Sequence, residues 1–222
     1  PINGLIWMGE ADYMLQQIQD KLDQNYSCLK MKIGAIDFKT ELDILHTIRK
    51  DFPADQLELR VDANGAFPLS EVNEKLNQLA QLELHSIEQP IAAGQFDEMK
   101  KLCQNSPIKI ALDEELIGVS QLNKKIQLLE TINPPYIILK PSLHGGISGT
   151  KEWIRLAEER NINWWITSAL ESNLGLNCIA QLTAEYKIDK THGLGTGGLY
   201  INNLPSSLQL ENGKISFNPL NR

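Results

Sequence analysis

LELRVDANG (57–65) is a short run that ends on a carboxylate, Asp62. Side chains alternate along a strand, so Arg60, Asp62 and Asn64 share one face. The pattern returns in both directions along the chain. CLKMKIG (28–34) carries Lys32, HSIEQPI (85–91) carries Glu88, IKIALDEEL (108–116) carries Asp113, and YIILKPS (136–142) carries Lys140. From Lys32 to Lys140 these charges lie 30, 26, 25 and 27 residues apart. That spacing is about the length of one strand, one helix and their loops. A charge near the end of each of five consecutive strands makes little sense in a core. It suits an active site at the mouth of a β/α barrel, where catalytic groups come from several strand ends.

The surrounding sequence repeats the same alternation. GLIWMG (4–9) reads as a first strand, followed by a helix over about Asp12–Gln24. TELDILHTIRKDF predicts a helix with Leu42, Leu45 and Ile48 on one face. Ser70 is the expected N-cap of a helix that turns Val72, Leu76, Leu79 and Leu82 inward. Further helices are expected around Asp97–Gln104, over QLNKKIQLLETI, over Thr150–Arg160 and over LGLNCIAQLTAEYK. NWWITSALES (163–172) and THGLGTGGL (191–199) supply the seventh and eighth strands.

Eight strand-like runs with seven helices between them predict an α/β fold, a TIM-like (β/α)7β barrel cycling over residues 4–199. An open doubly wound sheet is the competing architecture, but no glycine-rich fingerprint follows the first strand. Residues 200–222 extend the single domain, with a hairpin over SLQLENGKISFNP (207–219) turning at Asn212-Gly213.

The 222 residues are 42% hydrophobic and 22% charged, enough for one sizeable core. The formal charge of −7 argues against nucleic acid or an anionic membrane as partner. It is compatible with a small anionic substrate held by a metal and lysines. Cys28, Cys103 and Cys178 are too few and too scattered for a disulfide framework, and no Cys/His spacing suggests zinc. Reduced thiols, no signal peptide and no apolar run long enough to span a bilayer give a cytoplasmic expectation. Monomer and homo-oligomer are both left open.

Lys30 and Lys32 point to the same face of their strand. Two neighbouring ammonium groups repel and lower each other's pKa, which can make a lysine a base near neutral pH. Two surface lysines on a solvated edge strand are the other reading. Asp62, Glu88 and Asp113, taken singly, read as loop carboxylates or helix caps before they read as ligands. Together they converge from adjacent strands and would repel unless a cation held them. Hard oxygen ligands without His or Cys suit Mg²⁺, with Mn²⁺ as the alternative ion. Asn64 and Arg60 are candidates to orient Asp62, or members of a polar layer inside the barrel.

Lys140 is expected across the barrel from Lys32, with Tyr136 and Ile138 facing inward beside it. His144 reads as a polar loop residue. Ser168 and Glu171 are candidates for substrate contact or for capping the following helix. Gly195 and Thr196 belong to GLGTGG (193–198), whose glycines would let backbone amides approach an anion. A tight turn is the simpler reading of that run.

KMK, VDANG, IEQP, LDEE and LKPS together resemble the enolase superfamily, in its muconate-lactonizing subgroup. Within it, INGLIWMG, RVDANGAF, HSIEQPIAAGQ, LKPSLHGG, TSALESNLGLN and THGLGTGGL look like the o-succinylbenzoate synthases of menaquinone biosynthesis. The resemblance implies Asp62, Glu88 and Asp113 as metal ligands and Lys32 and Lys140 as catalytic lysines, with Lys30 depressing the pKa of Lys32. It implies a lyase that removes the proton α to a carboxylate and then water, by syn-dehydration of 2-succinyl-6-hydroxy-2,4-cyclohexadiene-1-carboxylate. It also implies an N-terminal α+β capping domain. The chain starts with Pro1 at the first barrel strand, so that domain is expected upstream of it. Dipeptide epimerases of the subgroup usually carry a DxD motif after the last strand, and GLGTGG has no carboxylate. The alternatives are an N-acylamino acid racemase, where the two lysines could exchange roles, a muconate cycloisomerase-like enzyme, or a truncated, non-catalytic ligand-binding barrel.

Overall fold

The first strand, β1 (Gly4–Ile6), pairs in parallel with β2 (Cys28–Lys32), and each later strand adds to the same edge. The strands are β3 (Glu58–Asp62), β4 (Ser86–Glu88), β5 (Ile110–Leu112), β6 (Tyr136–Leu139) and β7 (Asn163–Ile166). Together they form one seven-stranded parallel sheet in sequence order. The helices between them are α1 (Ala11–Asp23), α2 (Phe38–Asp51), α3 (Val72–Ala80), α4 (Phe96–Asn105), α5 (Leu122–Ile132), α6 (Gly146–Glu158) and α7 (Asn173–Ala184). This computed structural model describes residues 1–187, 189–196 and 200–219.

The expected eighth strand is reduced to a bridge. His192 pairs with Ile2 and Gly193 with Thr167, so these two residues join the two edges of the sheet. Gly197, Gly198 and Leu199 of the expected strand lie outside the described residues. The physical reason is composition: glycine supplies no side chain to pack, and a run rich in it gains little as a long strand.

Two apolar layers follow from the alternation along the strands. One side of each strand packs on the helices: Leu29 and Met31 of β2 and Leu59 and Val61 of β3 are buried with Leu45 and Ile48 of α2. The opposite side builds a small second cluster of Ala111, Ile138 and Trp165, with Tyr136 against it. Tyr136 and Ile138 therefore share the inward face, as their alternation predicts. Arg60 is also inward. Its guanidinium stacks over Trp165 at 4.4 Å and reaches Thr191 O and Glu58, away from Asp62. It belongs to a polar layer inside the sheet.

Two helix starts differ from expectation. Ser70 does not cap α3: the N-cap residue is Glu71, without a side-chain cap. A turn on Pro68 O takes the N–H groups of Glu71 and Val72 instead. Helix α6 starts at Gly146, four residues before Thr150, because Gly145 adopts a left-handed φ of 86° and opens the first turn. Thr150 then donates its hydroxyl to Gly146 O within that helix. Strands β8 (Leu208–Glu211) and β9 (Lys214–Phe217) form the expected antiparallel hairpin. Asn212 and Gly213 both have positive φ, the conformation that such a two-residue turn requires. The turn anchors the hairpin to the start of the sheet, where Ile2 N donates to Gly213 O at 2.8 Å.

Candidate active site

Register brings the strand-end charges together. Lys32 lies opposite Asp62, and Asp62 lies opposite Glu88. Glu88 lies opposite Ala111, so Asp113 emerges one inward step further along β5. All five ends are at the C-terminal edge of the parallel sheet, where helix-bound loops leave room for a site.

The carboxylates are buried and cross-linked by lysines. Lys30 Nζ lies 3.1 Å from Asp62 Oδ2 and 2.9 Å from Glu88 Oε2. Lys32 Nζ donates to the same Asp62 oxygen at 2.6 Å and to Asn64 Oδ1 at 2.7 Å. Lys140 pairs with Asp113 Oδ2. Asn64 N donates to Asp62 Oδ1 at 3.0 Å, and its amide reaches Glu114 Oε1. Asn64 thus orients both Asp62 and Lys32.

The charges shift accordingly. Burial alone would raise the pKa of Asp62, but Lys30 and Lys32 hold it well below the carboxylate range. Burial, and then the neighbouring Asp62, push Glu88 well above its ordinary value. Burial disfavours the Lys30 ammonium, yet Glu88 and Asp62 outweigh it and keep the group charged. The sequence-based expectation that Lys30 is depressed by its neighbour is therefore reversed in this arrangement. Two carboxylates lie nearer in effect than one ammonium.

A divalent cation fits this donor set. Glu88 Oε1, Asp113 Oδ1 and Glu114 Oε2 are buried with no hydrogen-bond partner. Buried unpaired carboxylate oxygens are costly, and hard oxygen donors without nitrogen or sulfur suit Mg²⁺. Among the described residues no three carboxylates already stand at ligating distance from one centre. The lysines occupy the intervening positions.

The lysines that pair with the carboxylates, Lys30, Lys32 and Lys140, also line a cavity of about 270 Å³. Ser168, Gly195 and Thr196 line it from the other side. Ser168 and Thr196 share a hydroxyl hydrogen bond at 2.6 Å, which joins β7 to the glycine-rich turn. Glu171 is absent from the wall. It accepts from Ser142 at 2.5 Å and ties the loop after β6 to the loop after β7.

Several residues were missed in sequence. Trp7, Leu143 and Leu170 give the cavity an apolar wall. Gln89, fully buried with a φ of 38°, accepts from Asp113 N at 3.2 Å and sets the backbone of that carboxylate residue. His144, read from sequence as a polar loop residue, lies in the turn between β6 and α6 but is buried there, and burial holds its pKa down to about 4. Their signal is position alone, within a few residues of strand ends that already carry a charge.

The family model for enolase C-terminal domain-like proteins matches residues 13–218. The chain belongs to that family. It is 57% identical over 97% of its length to the o-succinylbenzoate synthase of Desulfotalea psychrophila. It superposes on the crystal structure of MenC from that organism with a TM-score of 0.90, at 55% identity over 97% of this chain and 59% of the other. It is also 30% identical, over 72% of its length and 41% of the relative, to the N-succinylamino acid racemase of Thermus thermophilus. The chain spans 58% of the length of the Desulfotalea relative.

Proposed function

We propose that this chain is the (β/α)7β barrel domain of an o-succinylbenzoate synthase, a hydro-lyase. The observation that carries the reading is one cavity with Lys30, Lys32 and Lys140 on its wall, the lysines that pair with Asp62, Glu88 and Asp113. The 57% identical relative, whose name states the product, supports this reading. The rest of the natural protein is proposed to supply a capping domain over the cavity.

Asp62, Glu88 and Asp113 would hold Mg²⁺, which when bound supplies positive charge to the substrate carboxylate and to the negative charge that develops there. Lys32, now paired with Asp62 and Asn64, would turn its Nζ towards the substrate. Lys32 Nζ removes the proton α to the carboxylate. The same group, now an ammonium, delivers a proton to the hydroxyl leaving from that face, as syn-dehydration requires. Lys140 stays charged on the far side of the ring and stabilises the anion. Lys30 stays with Asp62 and Glu88 and keeps both oriented. Ser168, Thr196 and the Gly195 backbone receive the polar arm of the substrate.

Racemisation of an N-acylated amino acid is the second reading. It is favoured by lysines from strands well apart around the sheet reaching one cavity. Assaying the full-length protein with Mg²⁺ on the cyclohexadiene carboxylate and on N-succinyl amino acids in parallel tests both. Dehydration at least as efficient as racemisation supports the synthase. Racemisation without dehydration would replace it with the racemase.

A further inference from the structure

Strand β6 ends at Leu139, and Lys140 follows on the edge of a turn. The Lys140 N–H is donated to the imidazole of His144, with Nδ1 at 3.0 Å. The His144 N–H returns to Lys140 O at 3.1 Å. Both polar groups of the Lys140 main chain are thus bound to one residue four positions on. The ring is 4% exposed, and its centroid lies 6.4 Å from that of the fully buried Trp153. With Nδ1 accepting, the proton of the neutral ring sits on Nε2, and that atom is buried without a partner. An apolar side chain of similar size would avoid the cost of the unpaired N–H, but would lose the acceptor.

We propose that His144 is a positioning residue for Lys140: its Nδ1 fixes the peptide from which the Lys140 ammonium reaches Asp113 and the cavity. This rests on the reading of Lys140 as the cation across the cavity from Lys32. A long, flexible side chain places its ammonium only as well as its own backbone is placed. Lys140 is the first residue beyond its strand, so the sheet does not do this alone. Leu143, on the cavity wall, lies within the same turn, so one imidazole sets a charged and an apolar contact together.

The test uses the full-length protein with Mg²⁺ and three variants. Lys140→Ala checks the underlying reading and should be inactive. His144→Leu removes the acceptor, and His144→Asn restores an oxygen near the position of Nδ1. The expected result for His144→Leu is a kcat lowered roughly tenfold to a hundredfold, with KM changed by less than about threefold. Mg²⁺ affinity by calorimetry should be unchanged, and His144→Asn should recover most of the kcat. A wild-type kcat in His144→Leu beside an inactive Lys140→Ala would overturn the role of His144 alone. A loss in His144→Asn equal to that in His144→Leu would do the same. An active Lys140→Ala would overturn the reading of Lys140 and this inference with it. If His144→Leu does not fold, the wild-type protein decides: a ¹⁵N–¹⁵N coupling between Lys140 N and His144 Nδ1 is expected, and its absence overturns the proposal.

Discussion

Asp62 is the residue on which most of the site converges, since Lys30, Lys32 and the Asn64 backbone all bond to it. Replacing it with Asn removes a charge and a donor oxygen while keeping the shape. Asp62→Asn is expected to weaken Mg²⁺ binding by more than about tenfold and to lower turnover with it. Calorimetry checks this, and unchanged affinity would remove Asp62 from the ligand set. Lys32→Arg should be as inactive as Lys32→Ala, because a guanidinium stays protonated and cannot be the base; a steady-state assay of the two variants decides. At this scale the charged residues were legible because each ends a strand. Their supporters were not. Gln89 holds Asp113 through a backbone amide 24 residues away, and nothing in a linear pattern pairs an amide side chain with a distant N–H.

Elements were legible wherever periodicity reached a whole helix or strand, and illegible where two residues do the work of one. His192 and Gly193 join β1 to β7 without forming a strand. His192 Nδ1 also accepts from Ile166 N at 3.1 Å, so a buried neutral imidazole ends β7 much as His144 ends β6. Burial, aided by Lys190, lowers the pKa of His192 from 6.5 to about 4. The unfolded chain therefore binds a proton that the folded chain does not between those two values. Stability contributed by the neutral ring is full above about pH 6.5 and is lost as pH falls towards 4, on the order of 3 kcal/mol at most. Urea midpoints of wild type should fall between pH 7 and pH 5, and those of His192→Asn should fall less. Parallel profiles would show that another group carries the acid sensitivity. The early start of α6 was missed for a related reason: the left-handed Gly145, not helix propensity, begins it.

The molecule as a whole presents apolar side chains around one end. Met8, Leu69, Ile117, Leu143 and Leu170 follow β1, β3, β5, β6 and β7, and all are exposed. All five come after the C-terminal ends of their strands, and Leu143 and Leu170 also line the cavity, which fits the capping domain proposed above. The 222-residue chain alone is expected to bind Mg²⁺ nearly as well as the full-length protein, since the proposed ligands Asp62, Glu88 and Asp113 are all buried within it. Its kcat/KM should be lower by on the order of a hundredfold, because an uncovered cavity admits water and orients substrate poorly. Equal kcat/KM for the two proteins would show that no cover is needed. The central claim is that Lys32, in a site whose metal is held by three carboxylates, takes the α proton and releases water from the same face. Its most direct test is 2-succinylbenzoate formation by the full-length protein, wild type against Lys32→Ala, with Mg²⁺ and with a chelator. The account predicts turnover only in wild type with the metal present. Turnover that survives either the chelator or the loss of Lys32, in a folded protein, would contradict it.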